Sequence, residues 1–362
     1  MPGFNNGLLY SALIAAALLA QAGAGAQAFP DPNDEAKLYE LAEKEGTVVW
    51  YESAPLEAMQ AIALAFEKKY PGVKVEVLRV VGVQQYQRFM QEVQAKKYNV
   101  DILHISDQPS MQTLVDDGHV AEWKVPTFDR YPEAFRLGTH AMANYTTDNA
   151  VIYNVNKVSA DEIKLLEADW KGVLDPRFKG RFAVTNMKCG ACYASIHMFL
   201  DPKYKDRYGM EFLRQIAAQK PTVYSEVLVG LDRVIAGEHD FTYWTWEGIA
   251  ITKWQQGAPI RWLHPKPTPT FGNSWQAVSK YAPHPNAARL FQNWSMSEEG
   301  EIAIQMLYGS ATVMKDLKDQ RPVTKEAWYK PIAEEYNVDF KRWDRDYHKD
   351  MDAWINILKQ AR

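Results

Sequence analysis

Thr47-Val48-Val49-Trp50-Tyr51 is an unbroken run of β-branched and aromatic residues, and Gly46 stands directly before it. Such a run reads as a buried strand, and the glycine as the stop of a preceding helix. That helix spans 33–45, with Asn33 as its cap and Asp34 and Glu35 in the first turn. After the strand, Met59, Ile62, Ala63 and Phe66 recur at helical spacing across 55–69. Val73–Val77 alternates with Lys and Glu as a half-exposed strand does, 83–95 is helical, and 100–105 is a further strand. A helix over 109–117 closes at Gly118. The order βαβαβα predicts a parallel sheet with right-handed crossovers.

Outward from this run the pattern pauses at 124–137, where Pro126 and Pro132 interrupt it, and a second set begins. Strands are expected at 150–154, 182–185, 241–244 and around 276–278. Helices are expected at 193–200, 208–218, 228–236, 285–296 and 299–307, and the tail 327–362 reads as helical, aromatic and charged. With 362 residues, 47% of them hydrophobic, the chain has enough apolar material for two cores. The 41 basic and 45 acidic residues nearly balance, which argues against a nucleic-acid binder and against an acidic disordered chain. Leu8–Ala20 is apolar and uncharged but shorter than the roughly 20 residues that cross a bilayer. The Ala26-Gln27-Ala28 that follows has the small-x-small pattern of a signal-peptide cut, so cleavage after Ala28 and export are expected, although residues 1–7 lack the usual Lys or Arg.

Two strands of the first set end alike, in Tyr51-Glu52-Ser53-Ala54-Pro55 and in Ile105-Ser106-Asp107-Gln108-Pro109, each running into a helix. Ser53 and Ser106 read either as helix caps or, with free backbone N–H groups beside them, as contacts for an anion. No phosphate-loop, dinucleotide, nucleophile-elbow or zinc-protease motif occurs, and the eight His show no metal spacing, so no cofactor and no catalytic group is expected. Cys189-Gly190-Ala191-Cys192 is read as a structural disulfide of an exported protein.

Gly46–Ser53, Ala65-Phe-Glu-Lys-Lys-Tyr-Pro-Gly-Val-Lys-Val-Glu, Asn99-Val-Asp-Ile-Leu-His-Ile-Ser-Asp and Tyr153-Asn154 resemble, in order, segments of the extracellular solute-binding proteins of ABC importers. Trp170-Lys-Gly-Val-Leu-Asp-Pro-Arg-Phe-Lys-Gly-Arg-Phe, Ala282–Phe291 and Ser295–Gly300 are similar to later segments of the same family. The nearest branch is the ferric-iron, thiamine, phosphonate and sugar-phosphate group. The resemblance implies a type II periplasmic binding fold, with two mainly parallel sheets flanked by helices and a ligand cleft between the lobes. It implies lobe one at 29–138 plus 266–330, lobe two at 139–265, and a C-terminal segment from 331 packed across them. It implies a periplasmic monomer that closes on a solute and meets an ABC permease or, alternatively, a receptor kinase; an exported enzyme on this fold has no nucleophile–base pair to support it.

Ferric members of that family use adjacent tyrosines in a late lobe-two strand. Trp246 and Glu247 stand at the matching positions, and a shifted register brings in Tyr243 alone. Tyr145, Tyr193 and Tyr224 are the remaining phenols considered for iron. An organic anion is therefore favoured over iron: a carboxylate, phosphate or phosphonate, aromatic or not. Its expected contacts are Ser53, Ser106, Tyr145, Thr185, Asn186, Ser225, Thr245, Trp246, Glu247 and Trp275, with Trp244 nearby and Arg181, Arg233 and Arg261 as carboxylate forks.

Overall fold

The computed structural model describes residues 29–80, 83–106, 108–186 and 190–361. Helix α1 (Glu35–Glu45) is capped by Asp34, whose carboxylate accepts from the Lys37 N–H, and it ends at Gly46 in the left-handed region, φ 75°. It leads through β1 (Thr47–Glu52), α2 (Leu56–Lys69), β2 (Lys74–Arg79), α3 (Val83–Gln94), β3 (Ile102–Ile105) and α4 (Gln108–Asp116). β1 lies parallel to both β2 and β3, as the opening pattern requires.

β4 (Arg136–Leu137) and β5 (Ala141–Asp148) add to this first sheet. The chain then crosses at Asn149 into β6 (Ala150–Asn154) of a second sheet. There follow α5 (Ala160–Ala168), β7 (Phe182–Thr185), α6 (Gly190–Phe199), α7 (Gly209–Ala218), β8 (Thr222–Tyr224), α8 (Val227–Ile235), β9 (Phe241–Thr245), α9 (Glu247–Gln255) and β10 (Ile260–Leu263). The chain returns through β11 (Thr268–Val278), then α10 (Pro285–Ser295), α11 (Glu298–Leu307), β12 (Glu335–Asn337) and α12 (Phe340–Gln360).

The sheet orders are β2-β1-β3-β11-β5-β4, with β12 on β11, and β10-β6-β9-β7-β8. Both sheets are mixed rather than mainly parallel. Besides the short β4–β5 pair, the antiparallel pairs, β11 with β3 and β5 and β6 with β9 and β10, come from the strands that carry the chain between the sheets and back. β5 hydrogen-bonds to β11 and so belongs to the first sheet, and the chain passes to the second sheet at Asn149. The tail differs as well, since β12 and irregular chain occupy 326–339 and the helix starts only at Phe340.

Helices cover both faces of the first sheet. Leu38, Phe66, Phe291 and Trp294 pack on the Trp50 side, and Phe89, Met111 and Leu114 on the Tyr51 side. The second core gathers Trp170, Phe182, Phe241 and Trp244, and α12 contributes Trp343, Met351, Trp354 and Leu358 to it. Among the described residues no helix is long and apolar enough to cross a membrane. Residues 1–28 and Cys189 lie outside the described residues, and with them the expected signal peptide and cysteine pair; Cys192 is buried in α6.

One close approach is testable. A Cβ on Gly300 would lie 2.1 Å from the Trp294 carbonyl oxygen and 2.7 Å from Ser295 Cα, both backbone atoms of the helix before it. Gly300→Ala is expected to lower stability by about 3 kcal/mol, read as a fall in the urea midpoint without a change of slope.

Candidate functional site

In open α/β sheets ligands bind beyond the carboxyl ends of the strands. In the first sheet Glu52 lies opposite His104, Ile105 opposite Trp275, and Asn273 opposite Tyr145. The ends of β1, β2 and β3 therefore share the edge at which β5 and β11 leave for the second lobe. In the second sheet Thr185 lies opposite Tyr224, and Thr245 opposite Ala150, the first residue after the crossing. The ends of β7, β8 and β9 share the edge that meets the same crossing. Ser53 and Ser106 thus stand on one lip, and Thr185, Asn186, Ser225, Thr245, Trp246 and Glu247 on the other.

The loop after β1 is held from below. Glu52, fully buried, accepts the Ser53 and Ala54 N–H groups on one carboxylate oxygen at 2.7 and 3.0 Å. It also pairs with His104 Nδ1, and His104 Nε2 meets Asn144 Oδ1 at 3.0 Å. The two N–H groups expected to be free for an anion are therefore occupied. Ser53 does not cap α2 either: Pro55 is the N-cap and no side chain bonds to that helix start. Tyr145 is buried, with its hydroxyl on Ser274. The Tyr308 ring stands edge-on to Tyr145 at 5.4 Å.

On the second lip the Asn186 N–H donates to the Tyr224 carbonyl at 2.9 Å, while Asn186 Oδ1 is buried without a hydrogen-bond partner among the described residues. Thr185 and Thr245 are buried, Ser225 is exposed and Trp246 is half-buried as the N-cap of α9. Trp275 lies in the lobe-one core with Phe89 and Met111, and Trp244 in the lobe-two core against Trp354. The arginines read as forks sit elsewhere: Arg181 pairs with Glu162 at 2.6 Å and with Asp240, Arg233 with Glu238 at 2.7 Å, and Arg261 lies over the Trp328 ring at 5.3 Å.

A buried charged cluster at the crossing was missed from the sequence. Asp148 ends β5, and His264 follows β10, so both chain crossings contribute. His264 Nε2 lies 2.8 Å from Asp148 Oδ2 and 3.2 Å from Glu247 Oε2. Arg321 Nη1 lies 2.7 Å from Glu247 Oε1, and its Nη2 lies 2.7 Å from Asp319 Oδ2 and from the Tyr329 hydroxyl. Burial opposes a charge on His264, yet the two carboxylates push its pKa up to about 10. Burial raises Asp148; for Glu247 the same burial is outweighed by Arg321 and His264, and its pKa falls. Ligand atoms of Asp148, Glu247 and His264 lie within 4.8 Å of one another, a metal-like spacing. The set does not suit a metal: the imidazolium and the Arg321 guanidinium already balance the carboxylates, and a cation would have to displace both. No sequence spacing could have revealed the cluster, because its members are dispersed from 148 to 321.

Helix starts differ by position. Away from the lips, α1, α5, α11 and α12 are capped by Asp34, Ser159, Ser297 and Asp339, and Glu45 accepts the Asn286 and Ala287 N–H groups of α10. At the lips, α2, α8 and α9 begin with Pro55, Glu226 and Trp246 and have no side-chain cap hydrogen bond; α7, away from the lips, shares that lack.

A family model described as "Bacterial extracellular solute-binding protein" matches residues 61–331. The substrate-binding protein of an ABC transporter from Agrobacterium tumefaciens is 18% identical, with TM-score 0.73 over 86% of this chain and 94% of that one. Iron-bound HitA from Pseudomonas aeruginosa is 18% identical, TM-score 0.66, over 87% and 99%. AfuA from Actinobacillus pleuropneumoniae, with fructose-6-phosphate bound, is 18% identical, TM-score 0.64, over 87% and 99%.

Proposed function

The chain belongs to the bacterial extracellular solute-binding proteins, and on that premise we propose that it captures a small organic anion between its two lobes for an ABC transporter. The observation that carries the reading is the set of uncapped helix starts at the lips, α2 from lobe one and α8 and α9 from lobe two. Each leaves first-turn N–H groups open at the positive end of a helix dipole, which suits carboxylate, phosphate or phosphonate oxygens. The relatives named above carry iron in one case and a sugar phosphate in another. Iron would need convergent phenolates. Here Tyr193 donates to Asp350, Tyr224 meets His239, Tyr243 donates to the Trp170 carbonyl and Tyr145 meets Ser274, so the four hydroxyls are committed separately. Burial further pushes the Tyr145 and Tyr243 phenols well above their ordinary range, against phenolate formation.

In this reading lobe one is 29–148 with 268–330, lobe two is 150–263, and α12 bridges them. The chain is cut after Ala28, acts as a periplasmic monomer with a Cys189–Cys192 disulfide, has no catalytic role, and delivers its solute to a permease by hinge closure. Ser225, Asn186 and Trp246 are the lobe-two contacts, and Ser53 and Ser106 the lobe-one contacts.

Native mass spectrometry of the purified protein, with a metal assay on the same sample, is the test. An organic anion without stoichiometric metal is expected. At a hundred times its dissociation constant the anion stabilises the fold by about 2.7 kcal/mol. Ser225→Asp, which sets a carboxylate before the α8 start, is expected to weaken binding about tenfold, or about 1.4 kcal/mol. Stoichiometric iron released by acid would overturn the anion reading.

A further inference from the structure

A pocket of about 470 Å³ lies between α5 and the edge strand β10 on one side and residues 328–333 on the other. None of the lip residues lines it, although His264 in its wall lies 3.2 Å from Glu247 on the lip. Its walls are aromatic. Trp262 is almost fully buried in β10, and the Trp328 ring stands edge-on to it at 4.8 Å and 86°. The Arg261 guanidinium lies over the other ring, Trp328, and Tyr153 completes the lining.

The rim is cationic in a chain whose net charge is −4. Lys164, Lys266 and Lys330 line the pocket, against one acid, Glu167, which pairs with Lys330 at 2.6 Å. Lys164 is shared with Asp161 at 3.1 Å and is otherwise exposed. Lys266 has no carboxylate partner among the described residues and is exposed. His264 stands in the same lining, but its contacts with Asp148 and Glu247 balance any charge it carries, so it adds nothing to the cationic rim. The volume lies within the range of small-molecule sites, and the lining has their usual form of apolar walls with a few charged groups.

We propose that this pocket is a second ligand site, specific for a small aromatic carboxylate. The ring lies against Trp328 and Trp262, and the carboxylate faces Lys266 and Lys164. Aromatic edges and faces supply the stacking, and the lysines select the anion over its neutral analogue.

The test is isothermal titration of the dialysed full chain with 2-naphthoate, and with naphthalene-2-carboxamide as the uncharged control. Saturable binding of naphthoate is expected, with the amide at least about fivefold weaker. Trp328→Ala is expected to weaken the site about tenfold. Lys266→Glu, an exposed substitution that leaves the fold intact by circular dichroism, is expected to weaken it about fivefold. Trp246→Ala reports on the cleft: a site that is sensitive to Trp328 and Lys266 but survives Trp246→Ala supports the proposal. No saturable binding, equal binding of the amide, or binding lost only with Trp246→Ala overturns it. The last outcome would leave the cleft reading standing, and a failure of the cleft reading would leave this site untouched.

Discussion

His264→Leu is expected to destabilise the protein by about 3–5 kcal/mol, because it leaves Asp148 and Glu247 buried without their shared cation. The loss is read from the urea midpoint in neutral buffer. Its pH dependence gives an independent signature. The imidazole pKa is raised from 6.5 to about 10 in the folded chain, so the folded state binds this proton more tightly than the unfolded state does. The stabilisation is complete below the unfolded value and is lost as the pH rises through the folded one. Native protein should therefore lose stability between about pH 6.5 and 10, and His264→Leu should lose this component of the slope. Pairing His264→Leu with Asp148→Leu should recover part of the loss, since the uncompensated carboxylate is then removed too. A loss below about 1 kcal/mol with an unchanged slope would show that water reaches and compensates the cluster.

Trp354→Ala is expected to cost about 3–5 kcal/mol and to weaken solute capture as well. Trp354 is fully buried on α12, its ring stands edge-on to Trp244 at 5.4 Å, and its indole N–H donates to the Thr185 carbonyl at 3.3 Å. Thr185 ends β7 and precedes Asn186 on the lobe-two lip. The C-terminal helix thus holds a strand end from which the proposed site is built. Arg342 adds to the same anchorage, donating to the His197 carbonyl at 2.5 Å and to the Tyr336 hydroxyl at 2.9 Å. Urea unfolding measures the first effect, and titration with the ligand identified by mass spectrometry measures the second. Unchanged affinity in a destabilised but folded variant would make α12 a packing element alone.

The first half of lobe one was legible because its signals are local. Strand β1 announces itself by five consecutive β-branched or aromatic residues, and α2 and β2 by their apolar periods. The chain crossing was not legible. β5 reads Ala-Met-Ala-Asn-Tyr-Thr-Thr-Asp, and β11 contains Pro269 and Gly272. β5 has no strand signature and β11 shows one only at 276–278; over the rest, each is a strand because it supplies the other's backbone partners. The antiparallel pairs that make the sheets mixed arise in the same way.

The site divides along the same line. The strand ends that carry Ser53, Ser106, Asn186 and Trp246 follow from the order of strands and helices, which local periodicity encodes. The occupation of the Ser53 and Ala54 N–H groups by Glu52 depends on how that carboxylate turns beneath its own loop. The burial of Trp275, the commitments of the arginines and the Asp148–His264–Glu247–Arg321 cluster depend on groups far apart in the chain. By itself, then, the sequence determined most helices, the locally patterned strands and their order, and the strand ends at which a ligand would meet them. Tertiary structure alone decided which polar groups at those edges are already paired, because desolvation and ion pairing act through space between segments that share no local pattern.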